Sequence, residues 1–412
     1  MNHRQAGDSM SARELPGLKS QWGLDPEIAH LNHGSFGACP KAVLAELHRL
    51  QVELEHDLGT FLSRKASDRL AAARASLGAF VGANPEDLAF VPNVTEALNS
   101  ILRSMPLSEG DELIVSNHEY NASRNVLDFV AGRAGCRVIV VEIPFPLTDV
   151  SVVMERMREA ITPRSRLALL DHVTSATGLR MPLAELIELF HEADVSVLVD
   201  GAHAPGMIPV NIEALDADYY VANCHKWICS PKGAGFLYVR PELQGEVRPA
   251  VISHGANSGL TGRALFREEF EWMGTRDITP WLCVPVAIDY MGSLLPGGWD
   301  EVRTRNHQLV VQARRLLATE LDIAPPCSEE LLGSLATMHL PEIKSLPTSG
   351  ASSTLGLDAL QEVLFHEYKI EVPVLSCPQS GGRMFRVSAQ LYNEIDEYAR
   401  LAEALKRILR NQ

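Results

Sequence analysis

The residues of this chain that could do chemistry recur at one kind of place, directly after short apolar runs. Asp200-Gly201-Ala202-His203 follows the run at 195–199, and Asn223-Cys224-His225-Lys226-Trp227 follows the run at 219–222. Pro92-Asn93-Val94-Thr95-Glu96 follows 88–91 and opens a helical pattern. Asn93 can cap that helix and leave outward-pointing N–H groups. Asn117-His118-Glu119-Tyr120-Asn121 and the hydroxyl-rich Asp171-His172-Val173-Thr174-Ser175-Ala176-Thr177-Gly178 occupy the same kind of position. Singly, each has an ordinary reading: a capped helix, a strand-end Asp, a solvated His-Lys pair, a core aromatic. Together they supply a helix start for a phosphate, a carboxylate, an amine, hydroxyls and a flat ring. A Lys amine forms a Schiff base with an aldehyde, an Asp keeps a pyridine nitrogen protonated, and an aromatic stacks on the ring. That donor set matches pyridoxal 5'-phosphate.

The elements that must position these residues follow from periodicity. Apolar spacing predicts helices over 41–58 and 70–80, then strands at 88–91, 112–115, 138–143, 167–173, 195–199, 219–222 and 236–239. Helical patterns at 97–102, 121–132, 152–161 and 183–191 lie between them. The strand runs are continuously apolar rather than alternating, as in a parallel sheet covered on both faces. The expected fold class is therefore α/β, a doubly wound, mostly parallel sheet whose ligands bind beyond the carboxyl ends of the strands. From Pro280 onward the texture changes to helices at 280–295, 301–321, 357–365 and 393–409, with strands at 337–340, 370–374 and 384–387. This predicts an N-terminal arm over 1–30, a large domain over 31–290 and a smaller α+β domain over 291–412. The first ~25 residues carry few apolar anchors and read as a mobile arm.

Composition bounds the function. The 412 residues include 37 Lys+Arg against 52 Asp+Glu, a net charge of −15, with 46% hydrophobic and 22% charged residues. Such a chain can offset its conformational entropy by burial, so disorder is excluded as the dominant state. An acidic surface argues against nucleic acid as a partner. No run approaches the ~18–20 apolar residues that span a bilayer, and residues 1–25 lack the apolar core of a secretory signal. Seven cysteines without a C-x-x-C pair read as free thiols in a reducing cytosol, and a cytoplasmic location is expected. Neither G-x-G-x-x-G nor G-x-x-x-x-G-K-[ST] follows a strand, which disfavours a nucleotide-binding enzyme.

The chain resembles fold-type I pyridoxal-phosphate enzymes of the class V aminotransferase group, and is most similar to the isopenicillin N epimerase-like branch. The resemblance runs from Leu31-Asn-His-Gly-Ser-Phe-Gly to Arg386-Val-Ser-Ala-Gln-Leu-Tyr-Asn. Its most specific pieces are Val199-Asp-Gly-Ala-His-Ala-Pro-Gly, Cys224-His-Lys-Trp and Glu271-Trp-Met-Gly-Thr-Arg-Asp. It implies Lys226 as the Schiff-base lysine, Asp200 as partner of the pyridine nitrogen and Tyr120 as the stacking ring. His203 lies near the ring and its phenolic oxygen, and Ser175 sends a polar group to that oxygen. Val94, Thr95, Asn223 and His225 hold the phosphate. Arg386 binds the substrate α-carboxylate, and Asn32 and His33 line the substrate mouth. Thr275 reaches the phosphate of a neighbouring subunit, which implies a homodimer with shared active sites. Lys226, His225, Arg386 and a helix start then form a local cationic pocket in an acidic body.

The same resemblance implies an external aldimine with a small-molecule, amino-acid-type substrate, followed by chemistry at Cα with Lys226 as general base, in secondary-metabolite biosynthesis. Epimerisation, C–S β-elimination on a bulky cysteine conjugate, transamination and decarboxylative transamination all remain open. Desulfurases of this group carry a reactive Cys on a mobile loop. Here Cys377 lies nine positions before Arg386 and Cys327 follows Pro325-Pro326, neither with an evident activating neighbour. A non-catalytic dimeric scaffold is the alternative of another class, but it needs none of Lys226, Asp200 and Arg386.

Overall fold

Seven apolar runs pair into one sheet, in the order Leu88–Val91, Gly235–Val239, Tyr219–Asn223, Ser196–Asp200, Ser165–Asp171, Glu112–Ser116, Arg137–Val141. The computed structural model describes residues 17–343, 346, 357–379 and 381–410. Gly235–Val239 runs antiparallel to both its neighbours, and the remaining pairs are parallel. Alternate residues enter opposite cores, as the twofold period of a strand requires. Ile114, Ala168 and Leu170 join one apolar cluster, while Leu113, Val115, Leu167 and Leu169 join the other. Helices Val94–Ser104 and Asn121–Ala134 contribute Ala97, Leu98, Ile101, Val126, Leu127 and Val130 to the second cluster. Ala66–Val81 and Leu183–His191 pack on the first. Both faces are thus covered, and the carboxyl ends of the parallel strands open on one edge. The mostly parallel α/β expectation holds.

The C-terminal part adds an antiparallel sheet in the order Val374–Ser376, Arg383–Ser388, Leu335–His339, with helices Gly298–Leu321 and Ile395–Arg410 packed together beside it. A two-residue parallel pair, Ala29–His30 with Ile370–Glu371, ties the start of the described chain to this part. The single strand expected over 370–374 is split in two. Pro373 has no N–H for a ladder, and its carbonyl instead accepts from Arg386 N at 3.1 Å.

Two further expectations need correction. The helix expected over 280–295 is two, Thr279–Leu282 and Val284–Ser293. Pro285 lacks the N–H needed to continue the first and fits the opening turn of the second. A boundary at 290/291 therefore falls inside a helix. The arm is also held from residue 17 onward. Trp22 is buried, its indole N–H donates to Ala38 O at 3.1 Å, and its ring meets Tyr392 edge-on at 5.2 Å. Residues 1–16 of the expected arm lie outside the described residues. No helix among the described residues is long and apolar enough to cross a membrane.

One buried ion pair fixes how helix Gly262–Glu271 meets the sheet. Glu271 pairs with Arg74 of helix Ala66–Val81 and accepts the Phe90 amide at 3.2 Å. Removing one partner leaves the other charged and dry. Arg74→Leu is expected to cost about 3–5 kcal/mol in urea unfolding. Arg74→Leu with Glu271→Leu recovers most of that loss. A single-variant loss below about 1 kcal/mol would show that the pair is solvated in practice.

Candidate active site

Three strand ends and one helix start meet at the open edge. Asn223, the last residue of its strand, uses Oδ1 to accept the Val94 amide at 3.1 Å, and Asn93 Oδ1 accepts the Glu96 amide at 2.9 Å. Between them Thr95 is exposed, and its amide has no acceptor among the described residues. The helix start therefore presents the Thr95 N–H and positive end of its dipole outward, suited to a phosphate. Asn223 serves this seat by bracing the helix, and His225 Nδ1–H donates to Ala234 O at 2.8 Å.

Lys226 follows in the same turn. Its Nζ lies 3.3 Å from His203 Nε2, and His203 Nδ1 lies 3.2 Å from the Trp227 indole nitrogen. Burial lowers the amine to a pKa of about 8; Asp200 works against that shift and Arg386 with it. Gly37, at φ +69°, lies against this turn: a Cβ there would stand 2.0 Å from His225 O. Only glycine allows the N-terminal segment to close over Lys226.

Asp200 ends its strand level with Asp171 on the neighbouring one. Asp200 Oδ1 accepts the Ala202 amide at 2.9 Å, and Oδ2 receives Ser123 Oγ at 3.4 Å. Burial raises its carboxyl, with the Ala202 amide and the Lys226 charge opposing. Glu119 and Asp171 are pushed further, by burial first and then by neighbouring carboxylates. One oxygen of each, Glu119 Oε2 and Asp171 Oδ2, is buried without a hydrogen-bond partner. Three carboxyls in one dry cluster cannot all ionise.

Arg386, on strand Arg383–Ser388, is 4% exposed and has no carboxylate in contact among the described residues. Its Nη1 donates to Ser175 O, with Ser175 Oγ at 3.4 Å, and its Nη2 donates to Ser35 Oγ at 2.9 Å. Nε is buried and unpartnered. Ser35 in turn donates to Asn32 Oδ1, and Asn32 Nδ2 donates to Glu371 Oε1 at 2.9 Å. Burial lowers the guanidinium to about 10. A planar, desolvated fork with no counter-ion is built for an incoming carboxylate.

Several expected roles change. Asn32 is buried with both ends of its amide engaged, so it positions Ser35 rather than facing a substrate. His33 is fully buried, with Nδ1 at 2.9 Å from Tyr392 Oη and Nε2 at 3.0 Å from Lys226 O. It braces the lysine's turn. Burial holds His33 at about 3 and His225 at about 4, and puts His203 well below its ordinary value. All three are neutral near pH 7, so the expected cationic pocket reduces to Lys226, Arg386 and the helix start. Tyr120 is 52% exposed, close enough to Arg386 to influence it. Thr275, expected to act on a neighbouring subunit, is exposed on this chain, and its neighbour Arg276 pairs with Glu96 at 2.9 Å. Cys327 does have a cation nearby, Arg314 Nη1 at 3.6 Å, yet burial outweighs it and raises the thiol.

Sequence reasoning missed Ser35, Ser123, Trp227, Glu119 and Asp171 as site residues. The last two stood in strand-end segments already singled out. Their signal was a second and third carboxylate at the edge that holds Asp200.

The donors present fit pyridoxal phosphate: a half-buried lysine that is half neutral near pH 8, a buried Asp, a free helix-start amide and a carboxylate fork. Two outcomes follow. The second-order rate at which apoprotein captures pyridoxal phosphate should rise with pH through a midpoint of about 8, and Asp200→Asn should move that midpoint down. A midpoint near 10.5 would mean a solvated amine. The sign for Asp171 is opposite to that of a salt-bridged acid. Its raised pKa stabilises the fold below the unfolded value of 3.8, and this stability is lost as pH rises toward the folded pKa. Asp171→Asn, which mimics the protonated acid, should stabilise the apoprotein at pH 8 by at least about 1 kcal/mol and much less at pH 4. Destabilisation at pH 8 would show an ionised, partnered Asp171.

Comparison with known proteins agrees with this chemistry. The aminotransferase class-V family model matches residues 40–343. Isopenicillin N epimerase of Amycolatopsis lactamdurans is 35% identical, over 97% of this chain and all of that protein. The Streptomyces clavuligerus isopenicillin N epimerase is 33% identical, over 93% and 95% of the two chains. A probable chloroplastic L-cysteine desulfhydrase of Arabidopsis thaliana is 29% identical over 94% and 84%. The fold matches the apo cysteine desulfurase of Thermococcus onnurineus with a TM-score of 0.80 at 19% identity, covering 98% and 100% of the chains. With the family model over most of the chain and relatives at 33–35% identity along nearly its whole length, this chain belongs to the class V aminotransferase family and is a pyridoxal-phosphate-dependent enzyme.

Proposed function

We propose that this enzyme acts at Cα of an amino-acid-type substrate whose α-carboxylate sits on Arg386, and that it epimerises that carbon. The observation that carries the substrate class is the buried Arg386 guanidinium, which has an unpartnered Nε and only neutral oxygens as neighbours. Leaving such a cation unpaired is costly, and a bidentate carboxylate removes that cost. Bound pyridoxal phosphate supplies the electron sink for charge developing at Cα. Lys226 would hold it, with Asp200 toward the ring nitrogen and the helix start at Val94 and Thr95 toward the phosphate.

The chain's own residues then handle the proton. Once the substrate amine takes its place, the Lys226 amine is free in a dry setting. With a pKa of about 8 it can remove a proton from one face of Cα near neutral pH, and inversion then takes a proton from a second donor or from solvent on the opposite face. Asp200 and the neutral His203 flank it without trapping it as a tight ion pair. Thr275, Val251, Ile252 and Leu260 are all exposed on this chain, which fits a second copy of the chain covering them.

C–S β-elimination is the second reading, favoured by one observation. Cys327 and Cys377 are both buried, burial raises the Cys327 thiol, and the stretch 344–356 contains no cysteine. Sulfur released from a cysteine-type substrate would leave with the product rather than pass to a protein thiol.

Incubation in deuterium oxide with isopenicillin N-like amines, cysteine S-conjugates and plain amino acids separates these readings. Exchange at Cα with inversion supports epimerisation. Pyruvate and a thiol without inversion would replace it with β-elimination, and a 2-oxo acid with transamination. Arg386→Lys should raise KM about 10–100-fold, the loss of a bidentate charged contact, with a smaller effect on kcat. An unchanged KM would remove Arg386 from substrate binding. Sedimentation as a monomer at assay concentration would remove the shared-site arrangement.

A further inference from the structure

We propose that Trp227 is a positioning residue that fixes the tautomer of His203, so that His203 presents an N–H rather than a lone pair beside Lys226. The inference deepens the reading above and rests on its placement of Lys226 as the reacting amine.

An indole nitrogen can only donate, whereas each nitrogen of a neutral imidazole is either donor or acceptor. Trp227 Nε1 lies 3.2 Å from His203 Nδ1, inside hydrogen-bond range. Nδ1 must therefore hold the lone pair. The single proton of the neutral ring then sits on Nε2, which lies 3.3 Å from Lys226 Nζ. The imidazolium form is excluded by the same geometry, because it would set Nδ1–H against the indole N–H. Burial and the Lys226 and Arg386 charges disfavour it too. The result is two donors in series, indole N–H to Nδ1 and Nε2–H toward the neutral lysine amine.

Nothing in this arrangement is free to turn. Trp227 is 1% and His203 2% exposed. The indole packs against the His33 ring at a centroid distance of 4.8 Å. Gly206 lies so close to the Trp227 main chain that a Cβ would stand 2.5 Å from its carbonyl carbon. Trp227 is also the residue after Lys226, so one turn of backbone sets the lysine and the group that orients its neighbour. Packing alone would be met by any large ring; the nitrogen is what the packing argument leaves unused.

The test begins with the unmodified apoprotein. Histidine-selective 15N NMR at pH 9.5, above the lysine value of about 8 so that the amine is neutral, should show His203 with an unprotonated Nδ1 and a protonated Nε2. The reverse assignment overturns the proposal. In Trp227→Phe, which keeps the ring and loses the N–H, the two tautomers should become mixed. Turnover of the loaded enzyme should then fall at least about tenfold, chiefly in kcat, within the roughly 10²–10⁴ that positioned proton-transfer groups contribute. In a His203→Gln background the amide needs no tautomer, so Trp227→Phe should change kcat less than about twofold. Equal losses in both backgrounds make Trp227 a packing residue and overturn the proposal. Failure of the underlying reading looks different: the tautomer pattern holds, but no α-amino substrate exchanges its Cα proton.

Discussion

The structure is organised around an electrostatic debt: two cations, Lys226 and Arg386, are taken out of water without a carboxylate in contact among the described residues. In a low-dielectric interior such groups are tolerated only if they lose charge or gain an anion. Lys226 takes the first route, as its value of about 8 records. Arg386 cannot, so it is held by neutral oxygens of Ser175 and Ser35 and retains an unused nitrogen. The surrounding groups obey the same constraint. Three histidines stay neutral, and the carboxyls at the strand ends are pushed toward their protonated forms. The site is thus kept low in formal charge, and the charge that counts is brought by what binds.

This changes the meaning of the overall balance of −15. An acidic chain and an anionic ligand seem to conflict only if the site must outbid the surface field with positive charge. Here the field is answered locally, by a helix start, by one desolvated guanidinium and by suppressing nearby negative charge. The net charge governs solubility and distant partners, while salt screens exposed charges beyond about 10 Å and leaves the site to its own near contacts.

What was legible in the sequence was local. Lys226, Asp200 and Asn93 are read correctly as strand-end or helix-cap residues because a strand, its turn and the next helix start are contiguous. The continuous apolar runs also announce a covered parallel sheet. What escaped depends on partners far along the chain. Nothing around Asn32 or His33 announces Glu371, Tyr392 or the Lys226 carbonyl, more than 190 positions away, so both looked available to a substrate. Asp171 becomes a neighbour of Asp200 only once the two strands are known to lie in register. His225 looked cationic because burial is invisible in a loop sequence. Proline was the exception among local signals: Pro285 and Pro373 each interrupt an element that apolar spacing alone continues.

The hydrogen-bond chain from Arg386 through Ser35 and Asn32 to Glu371 joins segments from opposite ends of the polypeptide. During synthesis the N-terminal member emerges first and waits for more than 330 residues before its partners leave the ribosome. The large sheet can already be assembled by then, with Lys226 in place but its cover unsecured. Closure over the lysine therefore waits on strand Arg383–Ser388 and on Glu371, made more than 330 residues after the segment they hold. A truncated product lacking the final strand would carry the reactive amine without the means to select what reaches it.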